Sequence, residues 1–382
     1  VSESFDFKLD YEERKDLDSE SLFEGFVKPF DLAKGMLIRA KQVVAIDDNS
    51  ESQEGCILID MHHIISDGIS SNIFVSEFSK IYSGMALEPM NVQYKDYAVW
   101  LSEQNREEDV KYWKKLYRVE PEPLSLYTQT SRELLRNFSG DSVVKQISPQ
   151  LSDRIDTYCK QKNLTTFDFF LAALSITLSS YSRQEDIVIA TPIAGRNHVD
   201  TENMIGLFVN TLPLRTFPEK NKLIKDYLKE IKNNCMEAFS HQLYSFEKLV
   251  QEVVKTRDNG RNPLFDVMLT LQSQGTESFD IEGVTVKNID SYEHLAKYDL
   301  DVDVSKDNDA YQIVFTYIRT LYDSRVMESM LEQFVHLLEV IIENDTVKIS
   351  ELNLLSKAEE DRIIEFAYPE GKIGKVSRTV ID

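Results

Sequence analysis

Apolar and polar positions alternate along the chain in segments that predict a mixture of strands and helices. The run from Gly55 to Met61 is strand-like and apolar on both faces. "SSNIFVSEFSKIYSGM" follows at helical period: Ser70 or Ser71 serves as cap, Phe74, Phe78, Ile81 and Tyr82 form an apolar stripe, and Gly84 ends the helix. "YKDYAVWLSEQNREEDVKYWKKLYR" reads as two helices, and "EPEPLSLY" as a polar, proline-containing connector. A second region opens near Gly140. In it "LSDRIDTYCKQKN" and "TTFDFFLAALSITLSSYS" are helices, the latter apolar enough to be buried, and "EDIVIATPIAG" and "FVNTLPLRTF" are strands. A long amphipathic helix, "NKLIKDYLKEIKNNCMEAFSHQ", precedes three strand-like runs, "FDVMLTLQS", "YDLDVDVSK" and "YQIVFTYIR". "DSRVMESMLEQFVHLLEVIIEN" is a further long helix, and from Ser356 onward the chain turns polar and linker-like. Strands and helices mix without strict alternation, which predicts an α/β fold of layers with mixed sheets in two lobes. The expected boundaries are 1–120 for an N-terminal lobe, 121–356 for a C-terminal lobe and 357–382 for a linker.

The apolar run ends in His62 and His63, two of only six histidines in the chain, and Asp67-Gly68 follows. Continued strand parity puts the two imidazoles on opposite faces, His63 with Ile57, Ile59 and Met61, His62 with Cys56, Leu58 and Asp60. One imidazole can then address a given cleft. The other must be satisfied by packing or a hydrogen bond, with Asp60 as a candidate partner. Gly68 permits the turn beyond the strand, and Asp67 either fixes an imidazole or holds the loop through a cation. Three readings stand side by side: a pair of core histidines with a loop aspartate, a metal site, and acid–base catalysis by one histidine, whose ordinary pKa suits proton transfer near neutrality. The metal reading is the poorest, because adjacent strand residues cannot converge on one ion and no further His or Cys cluster supplies ligands.

Composition narrows the classes. The chain has 382 residues, 42% apolar and 28% charged, as in ordinary globular proteins. A net charge of −22 argues against nucleic acid or an anionic membrane as the main partner. Three scattered cysteines, Cys56, Cys159 and Cys235, without a C-x-x-C, fit small buried hydrophobes in a reducing cytoplasm. No apolar run is long enough to span a bilayer, and no secretory signal opens the chain. The first residues, "VSESFDFKLDYEERK", lack an initiator Met and begin within patterned sequence, so upstream chain is expected.

"HHIISDG" resembles the H-H-x-x-x-D-G motif of the condensation domains of non-ribosomal peptide synthetases. A bare H-x-x-x-D would be weak, since acyltransferases similar to chloramphenicol acetyltransferase share it. Here it does not stand alone. "FVKPFDLAKGMLIRA" resembles the family's R-P-F-D-L segment, "YKDYAVWL" its Y-x-D-Y-A-x-W, and "MIGLFVNTLPLR" its I-G-x-F-V-N-T-L-x-L-R. "HQLYSFEKLV" is similar to H-Q-x-Y-P-F-E-x-L-V, with Ser245 in place of proline. "RDNGRNPLFDVM" is similar to R-D-x-S-R-N-P-L-F-x-V-M, with Gly260 in place of serine. The order is the family's, and the matches cover nearly the whole chain. Each also has a plainer reading: Tyr97 and Trp100 as core, Asn210 as a loop cap, Arg257 to Phe265 as a structured connection, His241 as structural, and His198, His294 and His336 as surface or packing residues.

The resemblance implies a two-lobed chloramphenicol-acetyltransferase-like fold, with the histidine motif between the lobes midway along a channel. It implies donor and acceptor peptidyl carrier domains as partners, each inserting a phosphopantetheine arm, and no permanently bound cofactor or metal. The acceptor amine would attack the donor thioester and form a peptide bond. His63 is implied as the catalytic residue, either accepting a proton or hydrogen-bonding the tetrahedral intermediate, and a backbone amide near Gly68 as an oxyanion donor. His62, Asp67 and Asn210 are supporting residues. In the family Asp67 pairs with an arginine of an upstream R-H-E motif. That motif and an earlier N-terminal one are absent here, so the N-terminal lobe is expected to be incomplete. "LNLLSKAEEDRIIEFAYPEGK" resembles the start of a linker to an adjacent adenylation domain. An epimerisation domain carries the same histidine motif but differs at "IGLFVNTLPLR". Heterocyclisation domains replace the histidines with aspartates. Non-catalytic docking modules that recruit tailoring enzymes lose the motif. The flanking residues look most like domains joining two L-residues.

Overall fold

The computed structural model describes residues 7–15, 17–46, 54–132, 138–255, 258–272, 284–286, 295–307 and 309–367. Arg257, His294 and residues 368–382 of the expected linker lie outside the described residues. The chain forms two compact units. The first holds residues up to Glu107 together with Ile193–Asn210, and the second the bulk of the remainder.

The first unit is built on a three-stranded mixed sheet in the order β1-β2-β3. β1 (Leu9–Arg14) runs parallel to β2 (Ile38–Ala45), which is antiparallel to β3 (Gly55–Met61). A short helix α1 (Ser19–Phe23) and the turn after it bring Leu22 and Phe26 onto Val43, Cys56 and Leu58. β3 occupies the span its pattern predicts, yet only one of its faces is covered: Leu58 is 4% exposed and Ile57 53%. α2 (Gly68–Tyr82) starts three or four residues earlier than expected, because Asp67 rather than Ser70 or Ser71 caps it. Gly84 does end it, at φ +78°. Of the expected stripe, Phe74 and Phe78 are half-buried while Ile81 and Tyr82 are exposed. α3 (Tyr94–Glu103) follows, with Trp100 42% exposed instead of in the core.

The second unit begins with α4 (Glu107–Leu116), so the predicted helix pair is present. Its six-stranded mixed sheet has the order β4-β9-β8-β7-β5-β6. The strands are β4 (Gly140–Gln146), β5 (Ile187–Ile193), β6 (Asn210–Thr216), β7 (Val267–Gln272), β8 (Leu300–Asp307) and β9 (Ala310–Ile318). Its helices are α5 (Pro149–Lys162), α6 (Thr166–Ser182), α7 (Ile224–Ser240), α8 (Phe246–Val253), α9 (Ser324–Glu343) and α10 (Lys357–Ala367). α6 is buried from Asp168 to Ser179, as an all-round apolar helix must be. A Thr165–Asp168 capping box starts it. Phe170 meets Tyr311 of β9 edge-on at 5.3 Å, and Phe315 meets Phe334 of α9 at 5.8 Å, tying helix layer to sheet. Residues 357–367, read as linker-like, form α10; Glu359 is buried there, accepting from Gln333 at 3.0 Å.

Among the described residues no single helix is long and apolar enough to cross a membrane. α5 and α6 pass such a test only together, across a 104° bend, and α6 is a core helix. The three cysteines are free and buried.

Candidate functional site

β3 ends at Met61, so neither histidine continues the strand and parity does not govern them. His62 has extended backbone (φ −70°, ψ 134°), and His63 opens a 3₁₀ turn, His63–Ile65. The His62 amide is anchored by donation to the Leu37 carbonyl at 2.9 Å. Its imidazole accepts from the Ile64 amide at Nδ1, 3.0 Å away, which leaves the proton of the neutral ring on Nε2. The ring meets Phe30 edge-on at 6.1 Å, and the other partner of Phe30 is the Arg39 guanidinium, 3.8 Å from its centroid. The expected Asp60 contact does not form. Asp60 faces Arg39 across the β2–β3 register, 3.1 Å from its Nε, because opposite charges on directly paired strand residues are nearer than a side chain beyond the strand end.

His63 is exposed. Its Nδ1 lies 2.6 Å from the Ser66 carbonyl, and the Ser66 amide returns a bond to the His63 carbonyl at 3.2 Å. A carbonyl only accepts, so Nδ1 carries the proton and Nε2 of the neutral ring presents a lone pair. The ring is therefore oriented, in one tautomer, by backbone three residues away.

Asp67 is bonded within the protein through both carboxylate oxygens. It is 7% exposed and caps α2, with Oδ1 accepting from the Ser70 amide at 2.7 Å. Oδ2 accepts from the Phe208 amide at 3.0 Å. Arg196 donates from Nη2 to Oδ1 at 2.9 Å, and the two side chains are 4% and 5% exposed. The same guanidinium donates to the carbonyls of Thr201 at 2.5 Å and Met204 at 2.6 Å and stacks 4.1 Å from the Phe208 centroid. Burial pushes the Asp67 carboxyl up, but bonds from the Ser70 amide and hydroxyl, the Phe208 amide and Arg196 outweigh it, and the net shift is downward. The cation that holds this loop thus comes from downstream, in "AGRN", and not from an upstream R-H-E motif.

Three of the expected motifs meet around this pair. The Ser70 hydroxyl lies 2.7 Å from Asp67 Oδ1 and 2.8 Å from the Gly206 carbonyl, and it accepts from the Gly206 amide at 3.0 Å. Tyr94 donates to the Leu207 carbonyl at 2.7 Å and packs edge-on against Phe208 at 5.1 Å. Tyr97 lies 4.7 Å from the same ring. Two glycines make room. A Cβ at Gly206 would fall 2.2 Å from the Tyr94 ring, and at Gly195, where φ is +65°, 2.0 Å from the Phe208 carbonyl oxygen. Gly68 is different: its φ is not positive and a Cβ there would meet nothing, so the turn does not depend on it. Asn210 opens β6 half-buried, two residues after the amide that Asp67 holds. Both Asp67 oxygens and Nδ1 of both histidines are engaged by protein groups; among the described residues no group of three or more His, Cys, Asp or Glu side chains is placed to hold a metal ion. His241 is structural, paired with Asp109 at 2.7 Å and stacked on Tyr112 at 4.3 Å.

Sequence reasoning missed Arg196 and Gly206 here and gave Ser70 only as a helix cap. A single arginine between an apolar strand and the acidic stretch "HVDTEN" was the available signal for the first.

Comparison with known proteins agrees with this convergence. The model of the family described as "Condensation domain" matches residues 1–364. Bacitracin synthase 1 of Bacillus licheniformis is 35% identical over 95% of this chain and 7% of its own length. Gramicidin S synthase 2 of Brevibacillus brevis is 36% identical over 95% of this chain and 8% of its own. The chain thus spans under a tenth of the length of these two relatives. A four-domain nonribosomal peptide synthetase bound to AMP and glycine superimposes with a TM-score of 0.80 at 19% identity, covering 93% of this chain and 29% of that one. The X-domain in complex with OxyB from teicoplanin biosynthesis gives 0.79 at 21%, covering 92% and 80%. The condensation domain of the Monacolin K polyketide synthase gives 0.74 at 19%, covering 89% and 80%. The expected mixed α/β, chloramphenicol-acetyltransferase-like fold is that of these domains.

Proposed function

Because the chain belongs to the condensation-domain family, we propose that it forms a peptide bond between two carrier-tethered thioesters in non-ribosomal peptide synthesis, joining an L-residue donor to an L-residue acceptor. The observation that carries this reading is the His63 ring, exposed and held through Nδ1–H on the Ser66 carbonyl with Nε2 as the free base. The acceptor amine attacks the donor carbonyl carbon. The carbon–sulfur bond breaks, the acyl chain passes to the acceptor, and the amine's proton goes by way of His63 Nε2 to the departing thiolate. A thioester is already activated, so positioning and exclusion of water supply most of what remains. An amide near Gly68, in the first turn of α2 where intrahelical partners are lacking, offers a donor to the oxyanion. Asn210, His62 and Asp67 support the site, Asp67 by fixing the loop. The phosphopantetheine arms are the carriers' own groups. Donor and acceptor carrier domains and an adjacent adenylation domain are the partners, and the buried free thiols suit the cytoplasm.

The test is condensation of two carriers loaded with L-residues, read by mass of the product. His63→Ala should lower the rate by ~10²–10⁴-fold with melting temperature and carrier binding unchanged. A folded His63→Ala protein with normal turnover sinks the assignment. Racemisation of one loaded carrier without condensation would mark an epimerisation domain. Carrier or enzyme binding insensitive to His63→Ala, with no condensation by the wild type, would mark a docking module.

A further inference from the structure

The motif "FVKPFDLAKGMLIRA" supplies no group to the chemistry proposed for His63, yet it meets the neighbouring histidine twice. The His62 amide donates to the Leu37 carbonyl at 2.9 Å, and the half-buried His62 ring meets Phe30 edge-on with centroids 6.1 Å apart. Phe30 is covered in turn by Arg39 of β2, whose guanidinium carbon lies 3.8 Å from the ring centroid. Arg39 also holds the backbone of the same motif. Its Nη1 donates to the Phe26 carbonyl at 3.5 Å and its Nη2 to the Lys28 carbonyl.

Neutralising Asp60 is not what requires an arginine here. Arg39 Nε and Asp60 Oδ2 face each other at 3.1 Å across the β2–β3 register, but the two atoms are buried without an aligned hydrogen bond. The fork of the guanidinium is engaged by the Phe26 and Lys28 carbonyls, and its plane by Phe30. An ammonium in the same place reproduces neither. His62 carries the placement onward. It precedes the 3₁₀ turn His63–Ile65, accepts from the Ile64 amide at Nδ1, 3.0 Å away, and through its carbonyl accepts from the Ile65 amide at 3.1 Å. The far end of the turn is fixed separately, by Asp67 and Arg196. With one end released the turn swings, and the 2.6 Å bond from His63 Nδ1–H to the Ser66 carbonyl loses its alignment.

We propose that Arg39 is a positioning residue for His63, an assignment that rests on the role proposed for that imidazole. Through Phe30, Arg39 holds the His62 ring, and through the Ile64 amide His62 holds the turn that presents His63. Arg39 and Phe30 act only through His62 and are not catalytic residues. Their loss misplaces the His63 ring and frees its tautomer, which lowers turnover without touching the binding of either carrier.

The test uses the whole chain with ¹⁵N-labelled histidine, at about pH 9, where ordinary imidazoles are neutral. Long-range ¹⁵N–¹H correlation should show the His63 ring as the Nδ1–H form and the His62 ring as the Nε2–H form. Arg39→Lys keeps the charge opposite Asp60, yet it should move much of the His63 signal to the Nε2–H form. It should also lower kcat for condensation of two loaded carriers by about tenfold with KM unchanged. Phe30→Leu should do the same. His62→Asn keeps an acceptor for the Ile64 amide but removes the ring that Phe30 meets. In that background Arg39→Lys or Phe30→Leu should lower kcat by under about twofold more. Should Arg39→Lys fail to fold, Phe30→Leu alone and with His62→Asn decides. A wild-type tautomer and kcat in the folded single variants, even with an earlier melt, would overturn the proposal, as would a full further loss in the His62→Asn background. The two possible failures are distinct: normal turnover in His63→Ala removes the chemistry of His63, whereas an unmoved tautomer in Arg39→Lys removes the positioning by Arg39.

Discussion

The two units reach order by different means. The second is held by a continuous apolar core: α6 is buried all round, and the inward positions of β8 and β9, such as Val302, Val304, Ile313 and Phe315, are fully enclosed. The first has a small core of Leu22, Phe26, Val43, Cys56 and Leu58. Much of its apolar surface is open, as Ile57, Ile81, Tyr82 and Trp100 attest. What fixes its histidine loop is polar: one buried ion pair, one hydroxyl and three backbone amides. Hydrophobic packing is non-directional and tolerates small shifts. A buried charge pair whose two carboxylate oxygens are both hydrogen-bonded favours one geometry, which is what a loop presenting an oriented imidazole needs.

Substitutions at the two kinds of anchor should therefore cost similar amounts but differ in rescue. Asp67→Ala leaves Arg196 buried and unpaired, at about 3–5 kcal/mol, and Phe334→Ala opens a cavity in the second unit at about 3–5 kcal/mol. Replacing both Asp67→Leu and Arg196→Met should recover much of the first loss in denaturant unfolding, while turnover stays low because the loop has lost its register. A double variant no more stable than Asp67→Ala would remove the ion pair as the cause. A folded, stable but inactive Asp67→Ala protein would move that residue from scaffold to chemistry.

Acidity should separate the units in sign. Asp67 has a lowered folded pKa, so its contribution is fully present above about 4 and lost as pH falls through that lowered value. On β8, Asp301 is pushed up to about 7 by burial, then by Asp303, with Lys297 opposing. Between about 4 and that value the folded chain holds a proton that the unfolded chain has released, so stability falls as pH rises across this window. Melting temperatures measured from about pH 3 to about pH 8 should show both trends, and Asp301→Asn should flatten the second alone. An unchanged slope in that variant would assign it to another group.

The smallest effects test the uncovered face of β3. Leu58→Ala should cost about 2–5 kcal/mol and Ile57→Ala under about 0.5 kcal/mol, read by denaturant midpoints. A comparable loss at Ile57 would show that this face is covered in solution.

Most elements were legible because periodicity is a local property. Gly55–Met61, the helix pair around Asn105 and the buried helix "TFDFFLAALSITLSSYS" appear where their patterns put them. The short α1 and β1 were not read, since a five-residue helix and a polar edge strand carry little period. At the site, the sequence brought His63 and Asp67 forward as candidates through motif chemistry, but strand parity was carried two residues too far, and Trp100 was assigned to the core by its type.

By itself the sequence determined the span of the longer periodic elements, the sparse cysteines and histidines, and the motif residues from which a chemistry is proposed. For Asp67 it left two partners open, an imidazole or a cation. Which cation, and how each imidazole is protonated, were decided only by the tertiary structure. Arg196 lies 129 residues from Asp67 in the chain, and the Ser66 carbonyl accepts from His63 only because a 3₁₀ turn replaces the strand there. The physical reason is that period and propensity act over a few residues. The partner of a buried charge is set by which distant segment the fold returns to it, and by the two glycines that let that segment approach.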